Sequence, residues 1–480
     1  MQSQGLRIAA LSVAVFLSGC QTVATKQSTA DFDTQFSQGD YLAASDTALI
    51  AGKIQPDGTS DNLYWSLQAA AALNAQGDYQ QSTKIFDSAE ILMKGEDTEN
   101  IGKKGVEKVT AVLLNNSFND YTPTVYDGVM VNTYKAVNYI MQKDVQNARI
   151  EFNRAADRQR RAIEHFKEKI KEQEEAVSKK EQERSKETSA TAQVMDFEKS
   201  TSESTKTIYE TYPELEGWKV YPDYVNPYTD YMHGLYFLLG SQDKSDFGKS
   251  RQSLRRVSGM MPDNKSVATD LMVVDNLQKG KWRKHKLNPA VWVVFENGQA
   301  PVIEENLIPI PLFLVSDKVE YMQVALPKLK MRSDAYSYLN ISDGKNQIGK
   351  TEQLASIDRV IQTEFKKELP YKVTEAVAST MTKAFIQYQA RKEGGLLGSL
   401  AGIVYQAATT HADTRSWTTL PKEVQIARVR KPKSGRIEVS APELDAPISI
   451  DLPDSRFSIV FIKAPTVSTP PTYRVVGFDA

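Results

Sequence analysis

The densest group of residues that could do chemistry is the run from His411 to Trp417. With Asp413 and Arg415 between them, this run could supply a base, an acid and a partner for an oxyanion. The alternative is a structural junction, in which Asp413 caps the backbone, Arg415 pairs with a carboxylate and Trp417 packs beneath Leu420-Pro421. We favour the junction and expect no catalytic residue.

Few other reactive groups are present in the sequence. One cysteine leaves no basis for an intramolecular disulfide or a multi-cysteine metal site, and four histidines leave little room for histidine-rich metal or proton-relay chemistry. We expect no cofactor. The phosphate-binding loop, the zinc-protease helix motif and the nucleophile elbow of hydrolases are all missing from it. Residues Lys281–Lys286 form a basic patch that could touch phospholipid headgroups or peptidoglycan carboxylates, although a solvated inter-domain segment is the more common role.

The sole cysteine, Cys20, follows a short apolar run over residues 8–16, and Arg7 is the only charge before it. The run is shorter than the roughly 20 residues that span a bilayer, and it is typical of a signal-peptide core. It ends in Leu17-Ser18-Gly19-Cys20, which resembles the lipobox of bacterial lipoproteins. The resemblance implies removal of residues 1–19, lipidation of Cys20 and N-acylation of the new terminus. An ordinary secretory signal and a cytosolic chain with an apolar start are the alternatives.

The residue after the cysteine bears on which membrane is used. In the lipoproteins that this sequence resembles, aspartate at that position often marks inner-membrane retention, and here it is Gln21. We therefore expect outer-membrane anchoring with the protein facing the periplasm. Each buried CH₂ of the lipid contributes about 0.8 kcal/mol, so several acyl chains would anchor the chain almost permanently. Residues 20–29 would then form a lipidated tether of at most roughly 30 Å.

Composition excludes several classes of protein. The 480 residues are 41% apolar and 25% charged, which favours folded cores over disorder. The formal net charge is −1, whereas dedicated nucleic-acid binders usually carry a clear basic excess. We therefore expect no nucleic-acid partner.

Internal repeats indicate how the N-terminal half is built. The triplet Gly39-Asp40-Tyr41 recurs 38 residues later as Gly77-Asp78-Tyr79, and helical patterns follow both copies. Ala70 precedes the second copy by seven residues. This spacing resembles the tetratricopeptide (TPR) repeat, in which small residues let two antiparallel helices pack closely. The glycine would take a left-handed conformation at the turn.

Two more copies follow, between Asn132 and Ala155 and between Asn226 and Pro262. The fourth copy fits if about four residues are inserted between its helices. We therefore expect TPR-like hairpins over residues 30–155 and 211–280, with generic helical hairpins as the alternative. The matching positions are Ala136, Ala148, Phe152 and Ala155 in the third copy, and Gly234, Ser250, Leu254 and Val257 in the fourth.

Residues 156–210 separate the third and fourth copies. Acidic and basic residues at helical spacing, such as Glu164 with Lys167, predict a long solvated helix. Serine and threonine then dominate residues 185–206, which predicts a flexible linker or exposed loop. A coiled-coil partner surface is a weaker alternative, because a sustained apolar heptad is missing.

Residues 290–480 change to a strand pattern. The apolar run Val291–Phe295 ends in Glu-Asn-Gly and predicts a buried strand. Helical periodicity returns over residues 356–369 and 373–388, so we expect an α+β domain whose first and last strands share a sheet. Residues 394–408 are apolar and small, and we expect a core helix or a mobile loop rather than membrane insertion. The other expected strands are Leu307–Leu314, Tyr321–Leu326, Arg436–Ser440, Pro447–Leu452, Phe457–Lys463 and Tyr473–Phe478.

Several motifs together resemble an uncharacterised proteobacterial family of TPR-containing outer-membrane lipoproteins. They are the lipobox, the Gly-Asp-Tyr hairpins, Val291–Pro301, Ala325-Leu326-Pro327, and Asp413–Trp417 with Leu420-Pro421. The resemblance covers most of the mature chain and implies no known activity. Members of the family are encoded near an activator lipoprotein of penicillin-binding proteins, and this gene context implies a role in cell-wall biogenesis.

These expectations combine into one functional hypothesis: a lipid-anchored scaffold whose repeats bind a periplasmic protein or peptide in cell-wall or envelope biogenesis. An envelope enzyme acting on peptidoglycan or glycan, centred on His411 and Asp413, is the first alternative. A secretion or outer-membrane assembly accessory is the second.

Overall fold

The computed structural model describes residues 26–98, 121–161, 164, 171, 175, 196–221, 225–313, 319–409 and 411–479. Within these ranges the helices lie mostly in the N-terminal half and the sheets in the C-terminal half, which confirms a mixed α+β fold. The helices are α1 (26–37), α2 (Tyr41–Ala51), α3 (Leu63–Gln76), α4 (Tyr79–Thr98), α5 (Val125–Met141), α6 (145–161), α7 (Phe197–Glu210), α8 (Pro227–Leu239), α9 (Lys244–Met260), α10 (Lys265–Gln278) and α11 (Ile357–Thr409).

The predicted turns between paired helices are present. Gly39 joins α1 to α2 at φ +77°, and Gly77 joins α3 to α4 at φ +103°. These left-handed angles strain any residue with a Cβ, so the glycine prediction is confirmed. At the equivalent turn between α5 and α6, Lys143 takes a left-handed φ of 60°.

The hairpins α3–α4 and α8–α9 each contain an equivalent close contact between their two helices. The Ser82 hydroxyl of α4 donates to the Ala70 carbonyl of α3 at 2.7 Å. The Ser250 hydroxyl of α9 donates to the Gly234 carbonyl of α8 at the same distance. The sequence separation is four residues longer in the second pair, as the repeat alignment predicts. Small residues at these positions therefore bring the paired helices together.

The serine-rich segment before residue 211 differs from the prediction. From Phe197 onward it is not a linker but α7, whose Ser200, Ser204 and Ile208 form a buried stripe. The Ser204 hydroxyl donates to the Pro311 carbonyl, and the Phe313 amide donates to the Ser200 hydroxyl. Serine is small enough to let this helix pack closely on a strand, which the composition alone did not indicate. The long charged helix predicted over residues 154–187 lies largely outside the described residues.

The tether is also shorter than predicted. Residues 26–29 already belong to α1. At most six of the predicted tether residues, 20–25, therefore precede the folded region, and they lie outside the described residues.

Three sheets make up the strand-rich half. The five-stranded sheet has the order β11-β10-β1-β7-β6, in which β1 and β10 are parallel and the other neighbours antiparallel. A four-stranded sheet has the order β5-β4-β8-β9, and β2 and β3 form a separate long hairpin. The strands are β1 (Ala290–Asn297), β2 (Val302–Phe313), β3 (Val319–Lys330), β4 (Asn340–Ser342), β5 (Gln347–Lys350), β6 (Glu352–Ser356), β7 (Glu423–Arg430), β8 (Arg436–Ser440), β9 (Ile448–Asp451), β10 (Phe457–Ala464) and β11 (Thr472–Phe478).

The five-stranded sheet is the middle of three layers. On one face of β1, Trp292 and Val294 join the core that continues into the helices. On the other face, Val291, Val293 and Phe295 pack with the four-stranded sheet. All eight residues of β1 are buried, as its continuous apolar run predicts. The first and last strands share this sheet, which confirms that prediction.

Two features of the C-terminal half were predicted incorrectly. The two helices expected over 356–369 and 373–388 are one helix, α11, with Pro370 inside it. Leu369 and Val373 on either side are buried, and this packing outweighs the roughly 3 kcal/mol that an interior proline costs. The central strand β7 was not predicted, because its sequence mixes charged and apolar residues.

Residues 394–408 form part of α11, and the surroundings of their side chains lie outside the described residues. Within the described ranges, we find no helix with the length and apolar content required to cross a membrane.

Candidate functional site

The structure does not pair His411 with Asp413. The His411 Nδ1 lies 3.3 Å from a Glu305 carboxylate oxygen, which also accepts the Ala412 amide at 2.8 Å. Asp413 instead binds Arg415 through two side-chain contacts of 2.9 and 2.7 Å. The histidine and the aspartate therefore have different partners, so Asp413 does not orient the imidazole.

Trp417 has a different environment from the residues before it. Its indole is 1% exposed. Its ring lies 5.8 Å from the ring of Phe86 on α4 and 6.0 Å from that of Tyr134 on α5. An aromatic side chain buried between two helices contributes mainly to packing. The tryptophan thus joins the segment after α11 to the helical hairpins.

The residues beside Trp417 continue this contact across the earlier hairpins. The Gln68 amide of α3 donates to the Ser416 carbonyl at 3.0 Å and to the Thr418 hydroxyl at 3.2 Å. The Thr418 hydroxyl donates to Asp33 of α1 at 2.6 Å. Burial raises the pKa of Asp33, and the bond from Thr418 acts in the opposite direction.

We call the helical surface formed by Asp33, Gln68, Phe86 and Tyr134 the cradle. Residues 416–418 make hydrogen bonds and ring contacts to all four members. A peptide-binding repeat would present such a surface to another molecule. In this chain its own C-terminal half covers the cradle.

A buried charge network joins the second hairpin to the third. Lys135 of α5 is 1% exposed, and its Nζ lies 2.7 Å from Asp87, 2.8 Å from Glu90 and 3.2 Å from Glu151. Burial lowers the pKa of Lys135, but the three carboxylates outweigh burial and raise the pKa above its ordinary value. The lysine therefore stays charged and ties α4, α5 and α6 together.

A second candidate site is a cleft between α9 and α10 with a volume of about 390 Å³. Arg251, Arg255 and Arg256 line it together with two side-chain amides, those of Gln252 and Gln278. Guanidinium and amide donors suit a ligand that carries carboxylates or phosphates. The sequence analysis missed this cleft, although the run of arginines on α9 was a usable signal.

The basic patch Lys281–Lys286 lies beside this cleft. The amides of Lys281 and Trp282 bond back to the Asn276 carbonyl, so the chain folds over the last turn of α10. The side chains of Lys281, Arg283 and Lys286 are exposed. The patch extends the cationic surface beyond the end of α10.

Two further predictions concern ligands that the structure does not carry. Among the described residues, no three side chains of the metal-binding types cluster closely enough to hold an ion. Cys20, the predicted lipidation site, lies outside the described residues.

Comparisons of the chain with protein-family models, with curated proteins and with solved structures find no match.

Proposed function

We propose that this protein is a lipoprotein of the bacterial outer membrane, anchored by acyl chains on Cys20, that faces the periplasm and acts as a protein-interaction scaffold. The sequence Leu17-Ser18-Gly19-Cys20 after a short apolar run supports the anchor. A chain held at a membrane surface needs no long tether when its partners also lie in the envelope.

The observation that carries the scaffold proposal is the repeated contact between paired helices. Ser82 bonds to Ala70, and Ser250 bonds to Gly234 in the same way. A small residue opposite a small residue, twelve positions apart in the first case, is typical of TPR-like hairpins. Stacked hairpins of this kind present extended surfaces that bind other proteins.

The covered cradle changes which surface a partner would use. TPR-like repeats commonly bind peptides on their inner surface, and in this chain residues 416–418 already cover the cradle. We therefore assign partner binding to the outer surfaces of the hairpins rather than to the cradle. The cradle instead fixes the sheets to the helices.

The anchor is tested by growing cells with an alkyne analogue of palmitate and measuring its incorporation. We expect the wild-type chain to take up the label and to fractionate with the outer membrane. The Cys20→Ala variant should lose both properties, whereas Ser12→Ala, a matched change within the apolar run, should keep them. An unlabelled wild-type chain, or one recovered as a free periplasmic protein, would contradict the proposal.

The partner class is tested separately by crosslinking in intact cells, followed by identification of the captured proteins. Photoreactive residues replace exposed positions on α2, α9 and α10. Capture of cell-wall synthases would support a role in cell-wall biogenesis, and capture of assembly components would support the outer-membrane accessory role. If neither class is captured at any of these positions, the outer hairpin surfaces are not the binding surface.

A further inference from the structure

Positive charge is concentrated in one segment of an otherwise acidic chain. Residues 244–286, which contain α9 and α10, hold eleven lysines and arginines against four aspartates. Because the whole chain has 59 basic and 60 acidic residues, 48 basic and 56 acidic residues remain elsewhere. Residues 244–286 are therefore strongly cationic although the chain as a whole is nearly neutral.

Three of the four aspartates in this segment are already neutralised. Asp246 pairs with Arg149 of α6, and Asp275 pairs with Arg251. Asp270 is fully buried and lies 3.3 Å from Arg428 of β7. Two of these pairs use arginines from outside the segment, so Asp246 and Asp270 do not compensate the segment's own lysines and arginines.

Of the three arginines that line the cleft described above, Arg251 pairs with Asp275 and Arg256 pairs with Asp230 of α8. Gly248, Arg251 and Arg255 lie on one face of α9, at spacings of three and four residues. A Cβ on Gly248 would make one ordinary van der Waals contact, 3.6 Å from the Gln278 amide nitrogen, so this wall of the cleft is not tightly packed. Arg255 is exposed, and none of the described carboxylates forms an ion pair with it.

The rim of the cleft adds further charge. Lys279 and Lys281 are exposed at the end of α10 and follow Gln278, which lines the cleft. The nearby acids are Asp230 and Asp275, which pair with cleft arginines, Asp243, which caps the start of α9, and Asp479, near the half-buried Lys284. Arg255, Lys279 and Lys281 therefore carry the excess positive charge at the cleft and its rim.

We propose that this cleft, with its rim at Lys279 and Lys281, binds an acidic peptide segment of a partner protein. The inference rests on the proposed scaffold function, because it gives the chemistry of that scaffold's partner. Arginine forks bind carboxylates in two-point contacts. The amides of Gln252 and Gln278 can both donate to and accept from a peptide backbone.

A peptide fits these features better than a membrane does. The large apolar side chains exposed in this segment are Met272 at 51% and Trp282 at 39%. A surface that inserts into a bilayer presents a broader apolar face beside its cations. The cleft is shallow and open, and its guanidinium and amide donors suit one extended chain laid across it.

The test measures binding of a fluorescent peptide of about eight glutamates, which spans roughly 27 Å when extended, to the purified full-length chain. The first variant combines Arg255→Glu, Lys279→Glu and Lys281→Glu. The matched control combines Lys206→Glu, Lys345→Glu and Lys433→Glu, which are exposed elsewhere and change the net charge equally. Thermal melting verifies that each variant folds.

We expect the cleft variant to bind at least about tenfold more weakly, and the control to stay within about twofold of the wild type. Added salt should weaken wild-type binding. Equal losses in both variants, or no binding by the wild type, would overturn the proposal.

Two parallel measurements address other anionic partners. The first uses vesicles containing phosphatidylglycerol, and the second uses purified peptidoglycan. Cleft-dependent binding to either, without binding of the glutamate peptide, would overturn the peptide assignment in favour of that ligand. These assays need no lipid on Cys20 and no cell. A negative result in them therefore does not bear on the proposed lipid anchor, which has its own test.

Discussion

Gly234 of α8 and Leu254 of α9 are packed so closely that only glycine fits at the first position. A Cβ built on Gly234 would lie 2.8 Å from Leu254 Cγ and 3.3 Å from the Ser250 carbonyl oxygen. Atoms at such distances repel, so any larger residue must push the helices apart. The spacing of α8 and α9 therefore depends on this residue. Helix α9 carries one wall of the basic cleft.

We predict that Gly234→Val lowers the free energy of unfolding by about 1–3 kcal/mol through overpacking. The control is Gly259→Ala on α9, where a Cβ meets nothing within 4 Å. That change should raise stability by up to about 1 kcal/mol, because alanine favours the helix. Urea denaturation measures both, and a stable Gly234→Val variant would show that the contact is not needed.

Lys135 provides a second test, because its ammonium group is buried among three carboxylates. We predict that Lys135→Met lowers stability by about 1–3 kcal/mol, since Glu90 and Glu151 would lose their buried counter-charge and keep Arg158, at 3.6 Å, and Arg154, at 2.6 Å. Adding Glu90→Gln and Glu151→Gln should recover part of the loss. The control Lys206→Met, at an exposed site, should change stability by less than about 0.5 kcal/mol.

Urea denaturation of each variant measures its free energy of unfolding and checks this prediction. Should Lys135→Met prove as stable as the wild type, the network would contribute no net stability. Recovery by the triple variant would show that the lost charge compensation at Glu90 and Glu151, rather than lost packing, causes the effect.

The lowered pKa of the buried His233 predicts how the free energy of unfolding depends on pH. Burial, together with the nearby cations Arg256, Lys249 and Arg149, lowers the pKa of His233 to about 3. In the unfolded chain the imidazole binds a proton below about pH 6.5, whereas in the folded chain it stays neutral until about pH 3. Acidification therefore favours the unfolded state through this residue.

We predict that the free energy of unfolding of the wild type falls by about 2 kcal/mol more than that of His233→Gln between pH 7 and pH 5. Chemical denaturation at the two pH values measures the difference. Identical pH dependence in both proteins would mean that His233 is protonated in the folded state.

Substitutions between His411 and Trp417 distinguish a structural role of this segment from a catalytic one. We predict that Trp417→Ala lowers stability by about 3–5 kcal/mol, because the side chain is buried between Phe86 and Tyr134. The double variant His411→Ala/Asp413→Ala should lose less than about 1 kcal/mol, since both residues are partly exposed.

The double variant is then tested for complementation of a deletion strain. Unchanged function in a folded double variant agrees with the junction role. Loss of function with intact folding would instead favour the envelope-enzyme alternative.

Local sequence predicted the elements whose structure depends on neighbours in the chain. The Gly-Asp-Tyr turns followed from the left-handed angles that glycine allows, and Gly39 and Gly77 have those angles. The buried strand β1 followed from its unbroken apolar run. In contrast, β7 lies between β1 and β6, and its hydrogen bonds to distant strands, not its own residues, make it central.

The serine-rich α7 shows the same limit. Serine and threonine are poor helix formers and common in loops, so the sequence indicated a linker. Only the packing of Ser200 and Ser204 on β2 makes those residues suitable for a buried helix surface.

By itself, then, the sequence determined the helical hairpins and the cysteine pattern at residue 20, because both depend on residues a few positions apart. The tertiary structure decided that the cradle is covered and that α9 and α10 form a basic cleft. Gln68 and Ser416 are 348 positions apart, and such a contact depends on how all layers pack together, which no local pattern records.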